Sequence, residues 1–254
     1  MPHLFSLAGK VVLITGASRG LGWALAQAMA AAGGLVVLNG RDRQTLEQRA
    51  KELSAQGFEA GIAPFDVADL DAAVAGLAAV VERYGRLEVL VNNAGIPYRG
   101  SVVETTVEDW QRVIDVNLTA AFVLAREAAR VMTTQGGGRI IMMSSIMERI
   151  ARPNISAYVV AKAGLAALTR SLAVELGPKG ITCNAIAPGY FVTAMTRSVF
   201  EDKAFREMVV NRTPLGRWGQ PEELGGVAVF LASAAASYVN GQVLTVDGGL
   251  VAAL

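Results

Sequence analysis

The stretch Val11-Val12-Leu13-Ile14-Thr15-Gly16-Ala17-Ser18-Arg19-Gly20-Leu21-Gly22 joins an apolar run to glycines spaced Gly-x-x-x-Gly-x-Gly, and an alanine-rich segment follows. A short β-branched run before a glycine turn reads as a strand, and the segment 20–33 has helical length and composition. Glycines permit a sharp strand-to-helix turn and close backbone approach, while the helix start offers unpaired amides to a pyrophosphate. The spacing differs from the Gly-x-Gly-x-x-Gly fingerprint, so a purely structural turn is the other reading of this loop taken alone.

Outward from this unit, similar runs recur at 35–39, 61–65, 87–92, 139–144, 182–187 and 243–246. Apolar on both faces, they fit strands buried between two helical layers. Helical segments at 42–56, 69–84, 107–134, 157–177 and 221–235 alternate with them. This alternation predicts one α/β domain over 1–254, a doubly wound, Rossmann-type sheet of seven parallel strands flanked by helices on both faces. No linker, charge block or fixed-period repeat divides the chain. The stretch 189–219 is long for a connection and follows a strand end where such sheets bind ligands. It reads as a mobile, partly helical substrate lid, with a plain surface excursion as the alternative.

The 254 residues are 52% hydrophobic and 18% charged, which suits a large core rather than disorder. A formal net charge of +1 supplies no bulk field for nucleic acid or an anionic membrane, leaving small polar molecules as the expected partners. Cys183 is the only cysteine, so an intramolecular disulfide is impossible. His3 is the only histidine, which removes the material for a Ser-His-Asp mechanism or a His-rich metal site, and no metal is expected. The first residues lack the basic and long apolar regions of a signal peptide, and no uninterrupted apolar run matches a membrane span. A cytoplasmic protein is the expectation.

The remaining strand ends supply a cofactor rim. The second strand ends Asn39-Gly40-Arg41, with glycine where an acidic residue would hold the ribose of NAD. Arg41 and Arg19 match a 2′-phosphate in charge and fork geometry, which favours NADP(H) while NAD(H) stays open. Asp42 stands beside Arg41 and would partly neutralise it. Asp66-Val67 and Asn92-Asn93-Ala94-Gly95 end the third and fourth strands on the same rim, Asp66 as an acceptor for an adenine amine and the Asn-Asn-Ala-Gly turn as groove lining. Each has a second reading as ordinary turn chemistry.

Tyr158-Val159-Val160-Ala161-Lys162 places a phenol and an ammonium four apart, on one face of a helix. A nearby cation favours the ionised partner, so Lys162 is expected to pull Tyr158 below its usual range.

With these motifs in order, the chain resembles the short-chain dehydrogenase/reductase family along essentially its whole length. Thr15 to Gly22, Asn92 to Gly95, Asn117, Ser145, Tyr158, Lys162 and Pro188-Gly189 carry the likeness. The resemblance implies a catalytic set of Asn117, Ser145, Tyr158 and Lys162, with Ser144 out of register by one. Tyr158 would be the acid or base, Ser145 a hydrogen-bond partner of the substrate oxygen, and Lys162 a holder of the nicotinamide ribose. Asn117 would hold a lysine-linked water. The cofactor set implied is Gly16, Ser18, Arg19, Gly20, Leu21, Gly22, Arg41, Asp66, Val67, Asn93, Ala94, Gly95, Tyr158, Lys162, Pro188, Gly189, Phe191, Val192 and Thr193. The family usually forms homotetramers paired through helices around 107–134 and 157–177, and the apolar tail Leu250-Val251-Ala252-Ala253-Leu254 agrees with a buried end.

Asn92 to Arg99, Ala151-Arg152-Pro153, Arg217 to Glu223 and the tail after Gly249 are similar to a subgroup, the gluconate 5-dehydrogenases. That likeness implies interconversion of D-gluconate and 5-ketogluconate, a polyol and its keto form. Arg99, Arg149 and Arg152 are candidate carboxylate clamps, with Tyr190 beside the substrate. A 3-oxoacyl-carrier-protein reductase, a reductase of another small ketone or polyol, and a non-catalytic NADP-binding regulator remain the alternatives.

Overall fold

The structure, a computed structural model, describes residues 4–253, so His3 and Leu254 lie outside the described residues. Seven strands, β1 (Val11–Ile14), β2 (Leu35–Gly40), β3 (Ala60–Pro64), β4 (Val89–Asn92), β5 (Gly138–Met143), β6 (Ile181–Pro188) and β7 (Val243–Val246), form one sheet. Its order is β3-β2-β1-β4-β5-β6-β7, with every neighbouring pair parallel. All four residues of β1 and of β4 are buried, as continuous apolar runs require when helices cover both faces. The order reverses between β1 and β4, so the crevice at their carboxyl ends is where an open α/β sheet binds ligands.

One face packs on α1 (Gly20–Ala31), α2 (Arg43–Ser54) and α9 (Gly225–Ala232) through Leu25, Met29, Leu46, Leu53 and Leu231. The other packs on α3 (Leu70–Tyr84), α5 (Ala120–Thr134) and α6 (Ser156–Leu176) through Leu77, Leu124, Met132 and Leu165. Local chemistry sets the helix ends. Asp42 and Asp69 accept from Gln44 and Ala72 amides to start α2 and α3, and Gly85 at φ 74° stops α3.

Two predicted helices are broken. The segment 107–134 comprises α4 (Val107–Ile114), a π-helical turn at Asp115–Thr119, and α5. Asn117 causes the interruption by turning inward, donating to the carbonyls of Val113 at 2.9 Å and Ile96 at 3.1 Å. The segment 221–235 is a 3₁₀ turn at Pro221–Leu224 followed by α9, which ends at Ala232 with Ser233 as its cap. By length and composition alone the helix from Ser156 could cross a membrane, but Lys162 and Arg170 interrupt its apolar run and its buried face, including Lys162, packs in the core.

The stretch after β6 is partly helical, with α7 (Arg197–Glu201) and α8 (Lys203–Arg212). Its ends are tied together, since Val192 donates to the Gly219 carbonyl and Gly219 to that of Tyr190, both at 3.0 Å. Between them Tyr190, Phe200, Phe205 and Trp218 form an aromatic cluster with centroids 5.2–6.5 Å apart. The Arg217-to-Glu223 segment serves this fold: Trp218 is buried, and Arg217 holds Glu223 bidentately at 2.7 Å, lowering its carboxyl to about 2.

Candidate active site

The turn from β1 into α1 is held from below by β4. Thr15 Oγ1 accepts from the amides of Asn93 at 2.9 Å and Ala94 at 3.0 Å. Asn93 Nδ2 donates back to the carbonyls of Thr15 at 2.8 Å and Gly16 at 3.1 Å. Space then dictates the glycines. A Cβ on Gly22 would stand 2.4 Å from both Asn93 Nδ2 and the Gly16 carbonyl oxygen. Gly16 has φ 64° and its Cβ would meet Ala94 at 3.0 Å. The start of α1 therefore offers backbone amides in a cradle that side chains would fill, which fits a nucleotide pyrophosphate. Thr193, from the stretch after β6, approaches Gly20 across this cradle, its Cβ 3.7 Å from a Cβ built there.

At the end of β2, a Cβ on Gly40 would face Ser18 at 3.7 Å. Arg19 is exposed at the helix cap with no capping bond of its own. Arg41 is also exposed, and its facing carboxylate is Asp66 at 3.8 Å, rather than Asp42 as its sequence position suggested. Asp42 instead caps α2, and the Thr45 hydroxyl holds its carboxyl below the usual range. Asp66 also accepts from the Ala68 amide at 3.0 Å. Arg49 was missed in the sequence. Its Nε donates to the Ser18 carbonyl at 3.1 Å, its guanidinium lies 4.7 Å from the Trp23 centroid, and Glu52 pairs with it at 2.6 Å. It is thus a strut from α2 to the glycine loop. Buried Asn39 is a second unread support, accepting from the Gly16 amide and donating to Ala63 and Phe65.

The side chains of Val67 and Phe191 are buried in the two main cores, and Leu21 packs partly buried against the second of them. Pro188 ends β6, and Gly189 passes so close to Asp247 that a Cβ would lie 2.6 Å from that residue's Cβ. Val192 joins the aromatic cluster beside Tyr190.

The Tyr158 helix starts beside β5. Lys162 is 4% exposed and donates to the Met143 carbonyl at 2.7 Å; burial pulls its ammonium down to about 8. Its Nζ lies 5.6 Å from the Tyr158 ring centroid. Gly95 covers both it and Asn117, since a Cβ there would stand 2.6 Å from Asn117 Oδ1 and 3.6 Å from Lys162 Nζ. Asn117 Oδ1 accepts from the Ile96 amide at 3.2 Å, so its side chain fixes the turn after β4. Ser144 donates to the Lys162 carbonyl at 2.9 Å, while Ser145 opens into the pocket.

The expected downward pull of Lys162 on Tyr158 is not what the structure shows. Burial pushes the Tyr158 phenol up, and the forces opposing it are a Ser145 hydrogen bond and the charge of Arg152. Spacing identified a neighbour of Tyr158 but not the desolvation of the pair. The phenol and Ser145 share a pocket with Tyr98, Arg99, Met147, Arg152 and Tyr190. Arg99 donates to Ser198 at 3.3 Å, and the Arg152 guanidinium lies 5.1 Å from the Phe205 centroid. Arg149 does not line this pocket and pairs with Glu148 at 2.8 Å. A depression beside α4, lined by Ala68, Glu108 and Arg112, is remote in its lining from this set.

The site can thus seat a nucleotide along the rim and a small oxygenated molecule against Tyr158 and Ser145. A family profile described as enoyl-(acyl carrier protein) reductase matches residues 16–251. Gluconate 5-dehydrogenase of Gluconobacter oxydans is 44% identical, covering 100% of this chain and 99% of the relative. The 3-oxoacyl-[acyl-carrier-protein] reductase FabG of Thermotoga maritima is 41% identical over 96% of this chain and 99% of its own. A crystal structure of a gluconate 5-dehydrogenase from Burkholderia cenocepacia in complex with NADP and tartrate superposes with a TM-score of 0.96 at 41% identity, covering 99% of this chain and 98% of that one. The ordered motifs, the seven-stranded parallel sheet and these full-length similarities establish that the chain belongs to the short-chain dehydrogenase/reductase family of oxidoreductases.

Proposed function

We propose that this oxidoreductase uses NADP(H) to interconvert D-gluconate and 5-ketogluconate. The observation that carries the reading is the pocket itself, where Tyr158 and Ser145 face two arginines and no lining residue is acidic. A hydroxy or keto acid brings a carboxylate that Arg99 and Arg152 can engage. The full-length likeness to gluconate 5-dehydrogenases, one holding NADP and the hydroxy acid tartrate, supports the same class. Gly40 in place of an acid, with exposed Arg19 and Arg41 nearby, supports the 2′-phosphate preference.

When bound, the nicotinamide supplies hydride to the carbonyl carbon or accepts it from the carbinol. Tyr158 gives the carbonyl oxygen its proton in reduction and takes it back in oxidation. Ser145 holds that oxygen and the phenol through its hydroxyl. Lys162, locked by Met143, presents its ammonium below the Tyr158 ring to the cofactor ribose. Asn117 and Gly95 keep the turn that covers Lys162 in place. The stretch 189–219 acts as the lid, carrying Tyr190 and the partners of both pocket arginines. Phe122 on α5 and Val174 on α6 leave apolar surface that fits a homotetramer.

Following NADPH absorbance with 5-ketogluconate, and NADP+ reduction with gluconate, tests the reading. Turnover is expected with both, and kcat/KM is expected to favour NADPH over NADH. A chain that ignores both compounds at millimolar concentration but reduces an acetoacetyl thioester would instead support the carrier-protein reductase reading, to which the similarity to FabG points.

A further inference from the structure

The loop after β4 carries a pocket residue that the proposed reaction leaves without a role. Tyr98 lines the same pocket as Tyr158 and Ser145 and is half-buried there. Its ring lies against Gly100, where a Cβ would stand 2.6 Å from Tyr98 Oη, 2.9 Å from Cζ and 3.0 Å from Cε1. Gly100 has no left-handed φ, so its missing side chain supplies room for the ring rather than backbone freedom. The phenol ends 3.5 Å from Asp109 Oδ2 on α4, and the other oxygen of that carboxylate takes Arg112 at 3.0 Å. We propose that Tyr98 is a substrate-contacting wall of the pocket and that Gly100 is the positioning residue that seats it, so that the pair sets the room left for a small hydroxy or keto substrate.

A side chain at position 100 could displace either the ring or the backbone, and the backbone is tied on both sides. The Gly100 amide donates to the Asn154 carbonyl at 3.0 Å. Asn154 has φ 66°, the one positive value outside glycine among the described residues, and asparagine tolerates that region better than most side chains. At the next residue, the Ser101 carbonyl accepts from the Thr105 amide at 2.9 Å and from its hydroxyl at 2.8 Å, which closes a turn. Tyr98 is held less firmly, through rotatable bonds and a hydrogen bond at the long limit. The ring therefore yields first, and the change falls on the pocket wall rather than on the fold. The Gly100–Asn154 tie also joins the loops that carry Arg99 and Arg152, so the wall is built in register with both pocket arginines. A phenol both donates and accepts, which leaves Tyr98 able to meet a substrate hydroxyl while it faces Asp109. The role given to Tyr98 rests on reading this pocket as the substrate site.

A double-mutant cycle on the full-length protein, assayed with NADPH and 5-ketogluconate, tests the pair. Gly100→Ala should raise KM by about tenfold, with kcat within about threefold and calorimetric NADPH Kd within about twofold of the parent. In a Tyr98→Ala background, where the ring is already gone, adding Gly100→Ala should change KM by less than about twofold. A KM unmoved by Gly100→Ala, or moved equally in both backgrounds, overturns the proposal. If Gly100→Ala does not fold, the Gly100→Ala/Tyr98→Ala pair should fold, because the obstructing ring is absent, and Tyr98→Ala alone should raise KM by about tenfold. An unfolded pair, or an unmoved KM in Tyr98→Ala, then overturns the proposal. A parent protein that ignores 5-ketogluconate rejects the gluconate reading alone, and the same cycle on whichever ketone it reduces decides the role of Tyr98. Turnover of 5-ketogluconate with no coupling between positions 98 and 100 rejects only that role.

Discussion

Lys162→Met should remove a pH dependence of stability that the buried ammonium imposes. In the folded chain burial lowers Lys162 to about 8, against an ordinary value of 10.5. The unfolded chain then holds a proton that the folded chain has lost, across the window from about 8 to 10.5. Stability rises with pH wherever the unfolded state binds more protons, so this group penalises folding below the window and the penalty lifts as pH climbs through it. At about 1.4 kcal/mol per unit the full contribution is roughly 3 kcal/mol. The bond to Met143 belongs to the pH-independent part of the comparison. Cys183 works in the opposite direction, since burial raises its thiol to about 12 and folding loses stability as the unfolded thiol ionises from about 9 upward. Because Cys183 is unchanged in Lys162→Met, the difference between the two proteins isolates the lysine. Urea denaturation of both proteins at several pH values between about 7.5 and 9.5 should show the parent gaining on the variant by about 2 kcal/mol. Parallel stability curves would refute the burial argument.

Gly95→Ala should cut kcat/KM at least about tenfold with the fold retained, because its Cβ would press on Asn117 Oδ1 at 2.6 Å and disturb the cover over Lys162. Steady-state assays beside a melting curve would check it, and wild-type kinetics would deny the close packing a role. Arg49→Ala should weaken NADPH and NADH alike, by up to about tenfold in calorimetric Kd, because it frees the Ser18 carbonyl rather than the 2′-phosphate contact. An effect on NADPH alone would place Arg49 at the phosphate instead. Arg149→Ala should leave kcat/KM within about twofold, as an exposed partner of Glu148 outside the pocket.

The strands were legible because β1, β4 and their neighbours are apolar on both faces, a pattern that local composition displays directly. The π turn was not, because Asn117 breaks the helix through a partner at Ile96, 21 residues away. Arg49 escaped notice for a similar reason, since its acceptor, Ser18, lies 31 residues earlier. Ser144 and Ser145 differ in surroundings, the first a strut to the Lys162 carbonyl and the second a pocket hydroxyl. The direction of the Tyr158 shift was misread, because a four-residue spacing tells which groups are neighbours and says nothing of how much water they lose. The side chains of Phe191 and Val67 fill the cores, a placement that position near a strand end does not disclose.

Tyr158, as proposed above, moves the proton in a hydride-transfer reaction, and Tyr158→Phe takes that proton away. The substitution removes one hydroxyl from the pocket and leaves the glycine cradle intact. Single-turnover rates with NADPH and 5-ketogluconate should fall by about 10² to 10⁴, while calorimetric NADPH affinity stays close to that of the parent protein. A Tyr158→Phe protein that binds NADPH and turns over at the parent rate would show that another group carries the proton.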